Sequence, residues 1–238
     1  MKGVKPGLLR YTAFLAVAMG TMLYSMAEAA DTTKPAWISR EKGLYRSQVH
    51  RGGGGKYPDN ALETFLWCWG RGCTPEADAR LTKDGVAIAM HDETFDRTVA
   101  NLPAELKSRK AIELDFAAMR NLDIGSKWGP EHSTCRIATM ESVFAAMKGR
   151  PERLLYLDEK GAPPELMAAM SAALGVQEQV IYTSSKWRLV ADWHKVAPKG
   201  RSMVWLGRWP RTNTPESIAM IEKYMAEQLD EMEAAGWS

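Results

Sequence analysis

A chain of 238 residues carrying 31 Lys and Arg against 29 Asp and Glu has a formal charge of only +2. No clustered Lys/Arg stripe runs along it, which excludes recognition of nucleic acid through bulk charge. Three cysteines show no Cys/His metal spacing. Cys68 and Cys73 are close enough for one bridge that leaves Cys135 free, and three buried thiols are the other reading.

The first stretch, MKGVKPGLLRYTAFLAVAMGTMLYSMAEA, places Lys2, Lys5 and Arg10 before an apolar run and ends on Ala27-Glu28-Ala29. This is the layout of a secretory signal peptide. The run is short for a spanning helix and is interrupted by Gly20, Thr21 and Ser25. The sequence therefore predicts removal of residues 1–29, export to the periplasm or exterior, and no stable membrane anchor afterwards. What remains, residues 30–238, is near neutral and long enough for one domain with a substantial core.

LYRSQVHRG reads as an extended segment over 44–50, and GGGKYPDN as a loop in which Pro58-Asp59-Asn60 enters a helix. Leu62, Phe65, Leu66 and Trp69 have helical spacing and stop at Gly70 and Gly72. Two short strands follow at 75–81 and 86–91, turned by Lys83-Asp84-Gly85. Residues 93–139 form a long connection with one helix over AIELDFAAMRNL and a polar, Gly/Pro-bearing piece. Helices over TMESVFAAMKG, PPELMAAMSAALG, KWRLVADWHKVA and TPESIAMIEKYMAEQLDEMEAAG then alternate with strands at 154–158, 180–184 and 202–207.

Apolar strands alternating with helices predict a parallel α/β sheet. Six strands are expected, and a β/α barrel of eight is typically about 250 residues long. The sequence ends in Gly236-Trp237-Ser238, where a seventh strand is expected. The fold class predicted is thus a TIM (β/α) barrel cut short after about six strands.

Strand parity locates the chemistry. Side chains two apart share a face, so Glu76 and Asp78 point the same way, as do Tyr156, Asp158 and Lys160. His50 and His91 are each read as ending a strand. In a β/α barrel such ends meet at one mouth. Three carboxylates there repel unless a cation lies between them, and oxygen-only ligands suit Mg²⁺ or Ca²⁺ better than zinc. Two histidines supply general acid and base. Arg51 and Lys160 offer cations for an anionic group, with Arg bringing the bidentate fork that phosphate prefers. Together these groups describe metal-assisted cleavage of a phosphate ester. The glycine run 52–55 lacks a P-loop ending and reads either as pliable, anion-facing backbone or as a flexible connector.

HRG…YPDNALETF, EADARLTKDGVAIAMHDETFDRT, NLDIGSKWGP, IATMESVF and YLDEK, in that order, resemble the successive motifs of the glycerophosphodiester phosphodiesterase family. The resemblance implies a TIM barrel, a divalent cation (Ca²⁺ or Mg²⁺), and hydrolysis of a small glycerophosphodiester to glycerol 3-phosphate and an alcohol. It implies His50 and His91 as the acid/base pair and Arg51 and Lys160 as phosphate contacts. Glu76, Asp78 and Asp158 are the implied metal ligands. Asp158 and Asp59 stand where the family usually has glutamate, Ala61 where it has threonine and Ala138 where it has proline. A non-catalytic barrel remnant that binds a polyol phosphate, or a phosphodiesterase acting on lysophospholipids, are the alternative readings.

Overall fold

The computed structural model describes residues 47–206 and 214–237; the export signal read at 1–29 lies outside them. One sheet organises the domain. Its strands are β1 (Gln48–Val49), β2 (Thr74–Leu81), β3 (Ala87–Ala89), β4 (Leu155–Glu159), β5 (Val180–Ser184) and β6 (Arg201–Val204). Five of these run parallel in the order β1-β2-β4-β5-β6, and β3 pairs with β2 off this path. That arrangement is the curled, parallel α/β architecture of a partial barrel.

The helices are α1 (Leu62–Gly70), α2 (Phe116–Met119), α3 (Met140–Met147), α4 (Pro164–Ala173), α5 (Trp187–Val196) and α6 (Pro215–Ala234). Thr139 caps α3 by accepting from the Ser142 N–H, as its position before the apolar run predicts. Among the described residues no helix is long and apolar enough to cross a membrane.

Alternation on the strands separates core from site. Ala77, Leu157 and Tyr182 stand side by side in register and are buried under the helices with Phe65, Phe144 and Trp193. Tyr182 stacks on Trp193 with ring centres 4.9 Å apart and planes 7° from parallel, which adds to the burial of two large rings. The opposite row places Asp78 beside Asp158, and Asp158 beside Thr183. A second apolar cluster, built on Ile88, Phe95, Met119, Ile124 and Ile137, anchors the long connection against β3.

Three expectations change. The strand expected at 86–91 is shorter, Ala87–Ala89, and is not one of the parallel strands: β3 is antiparallel to β2, with Ala79 opposite Ala89. The tight Lys83-Asp84-Gly85 turn can only fold the chain back on its neighbour. AIELDFAAMRNL is not one helix, because Leu114 is extended (φ −124°, ψ 142°) between a 3₁₀ turn at Ala111–Glu113 and α2. Its carbonyl accepts from the Lys83 N–H, and Asp84 accepts from the Phe116 N–H, so the hairpin turn interrupts the helix. The cysteines are all free, with Cys68 and Cys135 buried. Burial pushes the Cys68 thiol up to about 12 and the Cys135 thiol up to about 11, making both inert packing groups.

Candidate active site

Glu76, Asp78 and Asp158 converge, with one oxygen from each lying within 4.8 Å of the others. Glu76 is 2% and Asp78 0% exposed. Burial, then the charge of Asp78, pushes the Glu76 carboxyl up to about 8. Burial also raises Asp158, although Lys160 works against the shift. Asp78 Oδ1 is buried with no hydrogen-bond partner. A divalent cation would satisfy that orphaned oxygen and reverse the penalty on Glu76 and Asp158. The donor set therefore fits a hard metal ion.

The cage is held by neighbours on the loop after β1. Arg51 and Asn60 both have left-handed backbone (φ 54° and 57°), an uncommon state for residues other than glycine that clusters at functional sites. The turn at Arg51 brings its N–H to Glu76 Oε2 at 2.6 Å. Asn60 grips Asp78 twice: its Nδ2 donates to Oδ2 at 2.7 Å, and its Oδ1 accepts from the Asp78 N–H at 2.9 Å. Pro58-Asp59-Asn60 thus serves β2 more than the helix. The residue before α1 is Ala61, with no side-chain cap.

Gly52 and Gly53 are tightly placed. A Cβ at Gly52, where φ is +77°, would lie 2.6 Å from the Phe65 ring, and one at Gly53 would lie 2.8 Å from the Tyr57 Cβ. At Gly54 and Gly55 no such crowding exists. The first half of the glycine run is a close-packed turn, and only the second half has the freedom expected of a connector.

Both histidines lie just past strands: His50 opens a 3₁₀ turn after β1, and His91 follows β3 by two residues. Burial, then the Arg51 charge, lowers the His50 pKa below 6.5, and His91 lies near enough to contribute in the same direction. His91 Nδ1 is 2.8 Å from Asp92 Oδ1. Asp92 also accepts from Arg97 Nε, while Arg97 Nη1 and Arg51 Nη1 share Asp59 Oδ2, each at 2.8 Å. An alternating relay of His91, Asp92, Arg97, Asp59 and Arg51 therefore ties the two histidine loops together. Asp59, with its shorter side chain, fits between two guanidinium groups.

Lys160 is drawn further into the cage than an anion clamp requires. Its Nζ lies 2.6 Å from Asp158 Oδ2 and 3.6 Å from Asp78 Oδ1. Burial works against its charge, but Asp158 outweighs this and holds the ammonium above its ordinary pKa. Arg51 Nε, 3.8 Å from Asp78, is buried without a hydrogen-bond partner. Above the carboxylates opens a cleft of about 520 Å³ lined by His50, Glu76, Asp158, Lys160, Ser185 and Trp205. Trp205, 40% exposed, extends the last ladder through its N–H to the Ser184 carbonyl. His132 and His194 stand outside this cleft: His194 pairs with Ser202 at 2.6 Å.

Sequence reading missed Asn60, Arg97 and Trp205. The signal for Asn60 was its place between Asp59 and a helix that it does not cap. Arg97 had no spacing to mark it, since only the folded loop brings it to Asp59 and Asp92.

Residues 50–206 match the glycerophosphoryl diester phosphodiesterase family, well over half of the chain. The chain belongs to this family. A glycerophosphodiester phosphodiesterase of Caldanaerobacter subterraneus subsp. tengcongensis is 30% identical over 160 residues, which is 63% of this chain and 62% of the relative. Glycerophosphodiester phosphodiesterase 1 of Mus musculus is 30% identical over 125 residues, 51% of this chain and 36% of the relative. The chain thus spans less than two thirds of the length of these relatives. A phosphodiesterase of Oleispira antarctica, solved in complex with sn-glycerol-3-phosphate, superposes with a TM-score of 0.56 at 20% identity, over 82% of this chain and 83% of that one. A glycerophosphodiester phosphodiesterase of Agrobacterium tumefaciens gives a TM-score of 0.57 at 22% identity, over 68% and 67%. Both likenesses carry the barrel fold of the family.

Proposed function

We propose that this member of the phosphodiesterase family hydrolyses glycerophosphodiesters to glycerol 3-phosphate and an alcohol, with Ca²⁺ or Mg²⁺ held by Glu76, Asp78 and Asp158. The observation that carries the reading is the convergence of those three carboxylates within 4.8 Å beneath a cleft that His50 and Lys160 also line. All-oxygen ligands favour a hard divalent ion over zinc. When bound, the ion supplies Lewis-acid polarisation of a phosphoryl oxygen.

The protein's own groups do the rest. Arg51, fixed by Asp59, keeps its guanidinium beside Asp78 as a cation for the anionic group, and Lys160 lines the cleft. Whether water or a hydroxyl of the substrate attacks, one proton must leave the nucleophile and one must reach the departing alcohol. His50 and His91 divide these two tasks. Asp92 on Nδ1 fixes the His91 tautomer and leaves Nε2 as its working nitrogen.

Hydrolysis of glycerophosphocholine with Ca²⁺, with Mg²⁺ and with chelator tests the reading. His50→Ala, His91→Ala and Glu76→Ala should each lower kcat by roughly 10²- to 10⁴-fold; unchanged turnover in these variants rejects the site. Export through residues 1–29 belongs to the same reading, and an exported protein beginning at Ala30 is its expected signature.

A further inference from the structure

Beside the carboxylate cage lies a second cavity of about 270 Å³, whose walls include Arg80, Glu93, Lys110, Ile112 and Lys160. Lys160 also lines the larger cleft, so it borders both spaces. Three cations and one carboxylate face this cavity. Lys110 is engaged by Glu93 at 2.7 Å and Lys160 by Asp158 at 2.6 Å.

Arg80 is different. It follows Glu76 and Asp78 on the same face of β2 and gives one nitrogen to the His91 carbonyl at 2.5 Å. Its Nε is buried without a hydrogen-bond partner. Among the described residues no carboxylate lies within ion-pair distance of it. Glu93, Asp78, Asp92 and Glu159 favour its charge only from beyond that distance; a partly buried guanidinium with an unbonded nitrogen is costly, and its planar fork matches carboxylate or phosphate.

We propose that this cavity is an anion subsite in which Arg80 and Lys110 bind a carboxylate or phosphate carried by the alcohol half of the diester. Glycerol carries no charge, so the group served here belongs to the other substituent of phosphorus. The subsite adjoins the reacting centre across Lys160 and touches the His91 backbone through Arg80. It therefore selects among glycerophosphodiesters, and it rests on the phosphodiesterase reading above.

Glycerophosphoserine and glycerophosphoethanolamine differ by one carboxylate, and kcat/KM for the two, measured on the full chain with Ca²⁺ or Mg²⁺, provides the test. The serine diester should be preferred by about tenfold, the contribution of one charge-assisted contact. That ratio should fall to about one in Arg80→Gln and be clearly reduced in Lys110→Ala, a change at an exposed position. If Arg80 only holds the His91 carbonyl, both rates fall and the ratio stays at its wild-type value. A wild-type ratio near one, or a ratio unmoved by both substitutions, overturns the subsite. Turnover of neither diester overturns the phosphodiesterase reading on which it rests.

Discussion

Replacing Glu76 with glutamine probes the cation cage without any substrate. In the metal-free protein this carboxyl is driven from its ordinary 4.5 to about 8, so between those pH values the folded state keeps a proton that the unfolded chain has released. Stability contributed by the protonated acid is fully present below pH 4.5 and is lost as pH rises through 8. At about 1.4 kcal/mol per pH unit the loss amounts to at most about 5 kcal/mol. With only 2% of Glu76 exposed, solvent screens little of it. Glutamine keeps an oxygen for the Arg51 N–H and never ionises. Urea unfolding of chelator-treated wild type and Glu76→Gln should therefore agree closely at pH 5 and diverge by a few kcal/mol at pH 8, with the variant more stable. Adding Ca²⁺ or Mg²⁺ at pH 8 should restore the wild type and do much less for the variant. An equal difference between the two proteins at both pH values refutes the buried-charge account.

Asn60→Ala removes both hydrogen bonds to Asp78 and should weaken divalent-cation affinity by about 10- to 100-fold, as loss of a ligand's supporting partner does; calorimetric titration measures it. One limb of the kcat/KM profile against pH should have its midpoint below 6.5, reporting His50 lowered by burial and Arg51. In Arg51→Gln that limb should move up, and a profile with both midpoints above 6.5 contradicts the assignment. Gly52→Ala meets the Phe65 ring at 2.6 Å on left-handed backbone and should destabilise by about 2–4 kcal/mol, whereas Gly55→Ala has open space and only the backbone penalty of its φ of 82°, about 1 kcal/mol. Thermal melts of the pair separate packing from backbone conformation.

The parity of Glu76 and Asp78 was readable because a strand has a fixed two-residue period, and the same rule set Asp158 on an inward face. His50 was readable because it follows a short extended run. The direction of β3 was not read, since an apolar segment of three residues looks the same in a parallel and an antiparallel ladder; the turn before it held the information. The break at Leu114 was hidden for a related reason. Local propensity over AIELDFAAMRNL favours helix, and a distant carboxylate, Asp84, takes the N–H that starts the second turn. Asn60 and Arg97 act through contacts to Asp78, Asp59 and Asp92 that no periodicity encodes. Lys160 lies one residue past the end of β4 rather than on it, and its pairing with Asp158 depends on the length and bend of a flexible side chain. The export signal concerns residues outside those described.

Asp78 and Asp158 are register partners on adjacent parallel strands. Neighbouring strands stand about 4.8 Å apart in any sheet, and that is about twice the bond from Ca²⁺ to oxygen and somewhat more than twice that from Mg²⁺. The backbone ladder thus acts as a ruler whose single division matches the span of two oxygens across a hard cation. Side-chain length then needs only to set how far above the sheet the ion rides. In this chain Glu76, Asp78 and Asp158 would hold such an ion, Asp158 with one methylene less reach than a glutamate.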